Sequence, residues 1–82
     1  MAKLMGLIDL LNTPTETAVF IETKMTLRPA FFMGVDTADN AVSLITPAKI
    51  AKHWQWRLYN KTWRVWSAKP TREQRMEMRW DG

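Results

Sequence analysis

The chain has 82 residues, no cysteine and one histidine, which leaves room for one domain and excludes disulfide staples, thiolate zinc sites and metal sites built on histidine alone. Net charge is +4, but its distribution says more: residues 1–46 hold three basic and five acidic side chains, residues 47–82 nine basic and three acidic. A basic C-terminal half points to an anionic partner: nucleic acid, a phosphorylated ligand or an acidic protein surface.

In chain order, Leu4, Leu7, Ile8 and Leu11 recur at the spacing of one helical face and predict a short amphipathic helix over residues 3–11. Asn12 and Pro14 end it, because proline cannot continue an α-helix. The same apolar stretch is broken by Asp9 and falls well short of the ~18–20 residues that span a bilayer. It also lacks a signal-peptide cleavage site, so the expectation is a cytoplasmic protein with no membrane contact.

Thr17 to Leu27 is rich in β-branched residues and alternates. Val19, Ile21, Met25 and Leu27 are expected on one side, Glu22, Lys24 and Thr26 on the other. Arg28-Pro29 interrupts the pattern. Ala30 to Val35 and Ala41 to Ile45 then read as two strands joined by an Asp36–Asn40 loop with hairpin chemistry.

Thr46-Pro47 has the form of a helix start, a threonine cap with proline at the first helical position, and predicts a helical segment near 47–52. Two continuations are open. Ile50, Trp54 and Leu58 suit a helix to about residue 59, whereas aromatic alternation favours a hairpin of 53–59 and 62–68 turning at Asn60-Lys61. In the hairpin, Trp54, Trp56, Leu58, Trp63 and Val65 form a core face. The opposite face carries Arg57, Tyr59, Arg64 and Trp66, with Arg57 directly across from Arg64. Like charges so placed repel, unless an anion or an aromatic ring lies between them.

After Lys69-Pro70, Thr71 with Gln74 forms a capping box and predicts a short C-terminal helix, although residues 75–80 also alternate as an edge strand would. Arg72, Arg75 and Arg79 would line one side of the helix. The whole is an α+β fold: residues 1–82 form a single domain with a small antiparallel sheet and short helices.

Thr62-Trp-Arg-Val-Trp66, Lys69-Pro-Thr-Arg-Glu-Gln-Arg75 and Trp80 resemble the tails of small proteins encoded by bacteriophages and prophages. The resemblance implies a phage accessory protein acting in the cytoplasm of the bacterial host. Many such proteins bind and block a host machine, as anti-CRISPR and anti-restriction inhibitors do.

Nothing in the chain assembles a catalytic set. His53 is the single histidine, Ser43 and Ser67 lie in no nucleophile motif, and Gly6, Gly34 and Gly82 are too scattered for a phosphate loop. No enzyme activity, cofactor or metal is therefore expected. The partner-binding candidates are Arg57, Tyr59, Lys61, Arg64, Trp66, Arg72, Arg75 and Arg79, because arginine, tyrosine and tryptophan dominate binding hot spots. The first reading is inhibition or redirection of a host protein complex with an acidic surface. The second is nucleic-acid binding by the same residues, and the third is a homo-oligomer paired through exposed tryptophans.

Overall fold

Three hairpin turns explain most of the architecture. A computed structural model of the chain describes residues 2–81. Its elements are α1 (Leu7–Leu11), β1 (Thr17–Thr23), β2 (Leu27–Asp36), β3 (Ala41–Ile45), β4 (Ala51–Gln55), a 3-10 helix (Trp56–Leu58), β5 (Trp63–Trp66) and α2 (Arg72–Glu77). The five strands form one antiparallel sheet in the order β4-β3-β2-β1-β5. Consecutive strands β1 to β4 make a meander, and β5 returns to the vacant side of β1.

The strand predicted over residues 17–27 is instead β1, a turn and the start of β2. Thr23 makes the turn: its Oγ1 accepts from the Met25 and Thr26 amides at 3.2 and 3.0 Å, and its own amide donates to the Thr26 carbonyl at 2.8 Å. Met25 therefore stands exposed at the tip, and Leu27 changes face. Pro29 is tolerated within β2 for a geometric reason. Counting from the Thr23–Thr26 bond, Phe20–Pro29 is a non-bonded pair of the antiparallel ladder. Its missing N–H would thus point away from β1, on the side where β3 has already ended opposite Phe31.

The Asp36–Asn40 loop behaves as its composition predicts. Asp36 Oδ1 accepts from the Ala38 and Asp39 amides, and Asn40 takes the left-handed conformation at φ 51°.

The helical segment expected near 47–52 is a turn followed by β4. Thr46 pairs with Ile50 across a three-residue loop, and the Lys49 amide donates to the Thr46 carbonyl at 2.8 Å, with Lys49 at φ 63°. Pro47 thus serves the first central position of a type I turn, which asks for the same φ as the first turn of a helix. The hairpin expected between 53–59 and 62–68 is absent too. β4 pairs with β3 and β5 pairs with β1, at opposite edges of the sheet.

The register puts Val19, Ile21, Ala30, Phe32, Val42, Leu44, Trp54, Trp63 and Val65 on one concave face. Met5 and Leu10 cover this face from the N-terminal segment, and Leu58 and Tyr59 cover it from the segment before β5. Helix α1 is shorter than the predicted 3–11 and faces differently. Leu10 is its buried residue, while Ile8 and Leu11 are exposed. The cause lies in residues 3–5, which run alongside β5: Leu4 bridges Trp66, and the Met5 amide donates to the Val65 carbonyl at 2.9 Å. Helix α2 starts at the predicted capping box, with Thr71 Oγ1 accepting from the Gln74 amide and Gln74 Oε1 from the Thr71 amide. Among the described residues, no helix is long and apolar enough to cross a membrane.

The edges of the sheet approach one another. Trp63 of β5 donates its indole N–H to the Gln55 carbonyl of β4 at 3.0 Å, and its ring lies 5.8 Å from that of Trp54. The sheet is therefore curled toward a barrel, held by the Trp54, Trp56, Tyr59 and Trp63 aromatic cluster.

Candidate functional site

Strand β5 sets Arg64 opposite Glu22, not opposite Arg57. Arg64 is completely buried, and its Nε donates to Glu22 Oε1 at 2.8 Å. The remaining guanidinium nitrogens reach the Asn60 side chain and the Met78 and Arg75 carbonyls at 3.3, 2.7 and 3.0 Å. Trp80 lies over the guanidinium at 4.2 Å. Trp66 donates its indole N–H to Glu22 Oε1 at 2.8 Å, and Arg75 closes the network on Glu22 Oε2 at 3.0 Å.

This network lies on the convex face of the sheet and clamps the C-terminal segment onto β1 and β5. Burial pushes the Glu22 carboxyl up, but the hydrogen bonds from Arg64, Trp66 and Arg75 outweigh it and hold the pKa below the ordinary 4.5.

The eight sequence candidates therefore divide. Arg64, Trp66 and Arg75 are engaged with Glu22 inside the fold. Tyr59 is half-buried, stacked on Trp56 at 4.4 Å, and its hydroxyl donates to the Met5 carbonyl. Arg57, Lys61, Arg72 and Arg79 are exposed but scattered over the 3-10 helix, the following turn, α2 and the tail. Arg64 and Trp66 are buried and add nothing to the surface these four present.

A different concavity does gather cations. Strand β2 runs past the end of β3, and a cleft of about 480 Å³ opens there on the concave face. Ile21, Leu44, Ile50 and Trp54 supply apolar wall, and Arg28 and Lys52 enter it from β2 and β4. No carboxylate among the described residues lines it. Among the described residues, neither Arg28 nor Lys52 takes part in an ion pair. Lys24 and Lys49 stand on the two turns at the same end of the sheet.

The sequence held a signal for this site. Arg28, Ala30 and Phe32 alternate, so a strand running through Pro29 places Arg28 on the apolar side. Ending the strand at Arg28-Pro29, and assigning Lys52 to a helix, hid the pair.

Ser43 Oγ and His53 Nδ1 also meet, at 3.1 Å on the convex face, because they are cross-strand partners in β3 and β4. Among the described residues no carboxylate hydrogen-bonds this imidazole, and no cluster of three metal-ligating acids or histidines is present. Comparison with protein-family profiles, with curated proteins and with solved structures returns no match for this chain.

Proposed function

We propose that this chain is a non-enzymatic binding protein whose cleft takes an acidic segment of a partner protein. The observation that carries the reading is an apolar cleft bounded by Arg28 and Lys52, with no carboxylate in its lining among the described residues. Two cations facing apolar walls suit a ligand with both carboxylates and aliphatic side chains. Single-stranded nucleic acid is less well served, because bases need aromatic platforms and, among the described residues, Trp54, half-buried against Trp63, is the one aromatic ring in the lining. The resemblance of residues 62–80 to phage accessory proteins supports a setting in the cytoplasm of a bacterial host, where such binding would inhibit or redirect a host complex.

The test is fluorescence anisotropy of a labelled peptide of glutamate, threonine and leucine, beside a labelled single-stranded oligonucleotide. Wild-type protein is expected to bind the peptide, and Arg28→Glu/Lys52→Glu to weaken it by more than about tenfold through charge reversal. Preferential binding of the oligonucleotide, with a steep salt dependence, would replace this reading by the nucleic-acid one.

A further inference from the structure

The wall of the cleft formed by β4 is also an open sheet edge. The ladder fixes which of its backbone groups point outward. Thr46 donates to the Ile50 carbonyl at one end of the β3–β4 pair, and Trp56 donates to the Asn40 carbonyl at the other. Bonded and non-bonded pairs alternate between those ends. Leu44–Lys52 and Val42–Trp54 are then the bonded pairs, and Ala51, His53 and Gln55 turn their N–H and C=O groups away from β3. The Gln55 carbonyl is taken by the Trp63 indole. Among the described residues, no backbone bond joins Ala51 or His53 to a segment outside the sheet, and both residues are exposed.

The other edge of the sheet is closed. Residues 3–5 run along β5, with Met5 donating to Val65 and Ser67 donating to the Lys3 carbonyl, each at 2.9 Å. Head-to-tail pairing of β4 with β5 of another copy is thereby obstructed. Pairing of two β4 edges fares no better. The register that matches Ala51 with His53 of the copy sets Lys52 opposite its own duplicate, and like charges so placed repel.

We infer that the outer edge of β4 is a docking edge, on which an extended acidic segment of a partner protein adds as a further strand. Such a segment bonds to the outward groups of Ala51 and His53. Its alternate side chains fall on the concave side, where Lys52, Trp54 and Arg28 line the cleft. Charge complementarity selects the occupant: Lys52 disfavours a second copy in the register that matches Ala51 with His53, and the same Lys52 with Arg28 attracts carboxylates. Alternating glutamate and leucine on the cleft side of the segment would match the cations and the aliphatic wall together. The inference rests on the cleft reading above and adds the backbone mode of recognition.

Backbone recognition has a signature that side-chain binding lacks. The probe is a synthetic peptide repeating Glu-Thr-Leu-Thr twice, titrated into the full chain with amide resonances as the readout. Saturable shifts are expected at the Ala51 and His53 amides and at the Trp54 indole. N-methylation of one alternate set of peptide nitrogens abolishes binding, whereas N-methylation of the other set leaves it. On the protein side, His53→Pro removes an outward donor without touching the β3–β4 bonds, and is expected to weaken binding about tenfold, with His53→Ala as the control that keeps the N–H. The N-methylated peptides decide the matter even if the proline variant does not fold.

Equal binding of both N-methylated peptides, with shifts at the Arg28 and Lys52 side chains and none at the Ala51 and His53 amides, would overturn strand addition and leave the cleft reading standing. No saturable response at about 1 mM peptide, where even weak complexes form, would overturn both. An oligothymidine that displaces the peptide and binds more tightly would also overturn the inference, in favour of nucleic acid.

Discussion

Arg64→Met is expected to destabilise the protein by about 3–5 kcal/mol, because it takes from the buried Glu22 carboxylate its fully buried guanidinium partner. A chain of 82 residues is worth about 4–12 kcal/mol in total, so the variant stands near the edge of folding. Methionine fills much of the stem volume. The loss is therefore electrostatic and hydrogen-bonding, not a cavity effect. Glu22 is 3% exposed and would keep only Arg75 and the Trp66 indole. The Met78 and Arg75 carbonyls also lose the guanidinium that holds the tail. Urea denaturation followed by circular dichroism measures the loss, and limited proteolysis shows whether residues 68–81 detach first. Glu22→Leu/Arg64→Met removes the Glu22 carboxylate too and should recover part of the deficit; what remains reports the anchoring of the tail. Arg57→Ala, at an exposed position, should change stability by less than about 0.5 kcal/mol. An Arg64→Met protein as stable as Arg57→Ala would contradict the interior network.

The same network predicts a pH dependence with a definite sign. The folded pKa of Glu22 is lowered, so its contribution is fully present above the ordinary value of 4.5. It is lost as the pH falls through the lowered folded value. The stability gap between wild type and Glu22→Gln should therefore be constant from neutral pH down to about pH 5, then close on acidification. A gap that widened in acid would show that the carboxylate is not held in its charged form.

Trp63→Ala carries the second large effect, about 3–5 kcal/mol. Trp63 is 1% exposed and lies among Trp54, Trp56 and Tyr59 at centroid distances of 5.8, 6.3 and 4.9 Å. Alanine would leave a large void in the core and cut the contact between the two edges of the sheet. Trp63→Phe should cost much less, since it keeps a ring and leaves only the Gln55 carbonyl to find water. Chemical denaturation of the two variants measures the difference. Similar costs for both would mean that the indole hydrogen bond, not packing, holds the edges together.

The element boundaries that local chemistry controls were legible in the residues. Asp36 and Asn40 make the β2–β3 turn because a short acceptor side chain and a tolerated positive φ are properties of those residues themselves. Thr71 and Gln74 start α2 for the same kind of reason. Residues 30–35 and 41–45, two apolar runs on either side of the Asp36–Asn40 loop, gave two strands of the sheet, and with the helices they gave the α+β class. Composition and charge distribution raised the expectation of an anionic partner but did not show which cations share a cleft.

Pairing decided the rest. Pro47 has the same φ in a type I turn as in a helix start, and only the Thr46–Ile50 bond across the loop selects the turn. Residues 53–66 alternate equally well as a local hairpin or as two strands at opposite edges of a sheet. The choice between them depends on β1 and β3, which lie far away in sequence. That choice turns Arg64 and Trp66 from surface residues facing Arg57 into interior partners of Glu22. It also brings Arg28 and Lys52, 24 positions apart in the chain, to one cleft. Side-chain period is a property of the sequence, but the identity of the neighbouring strand is a property of the assembled sheet.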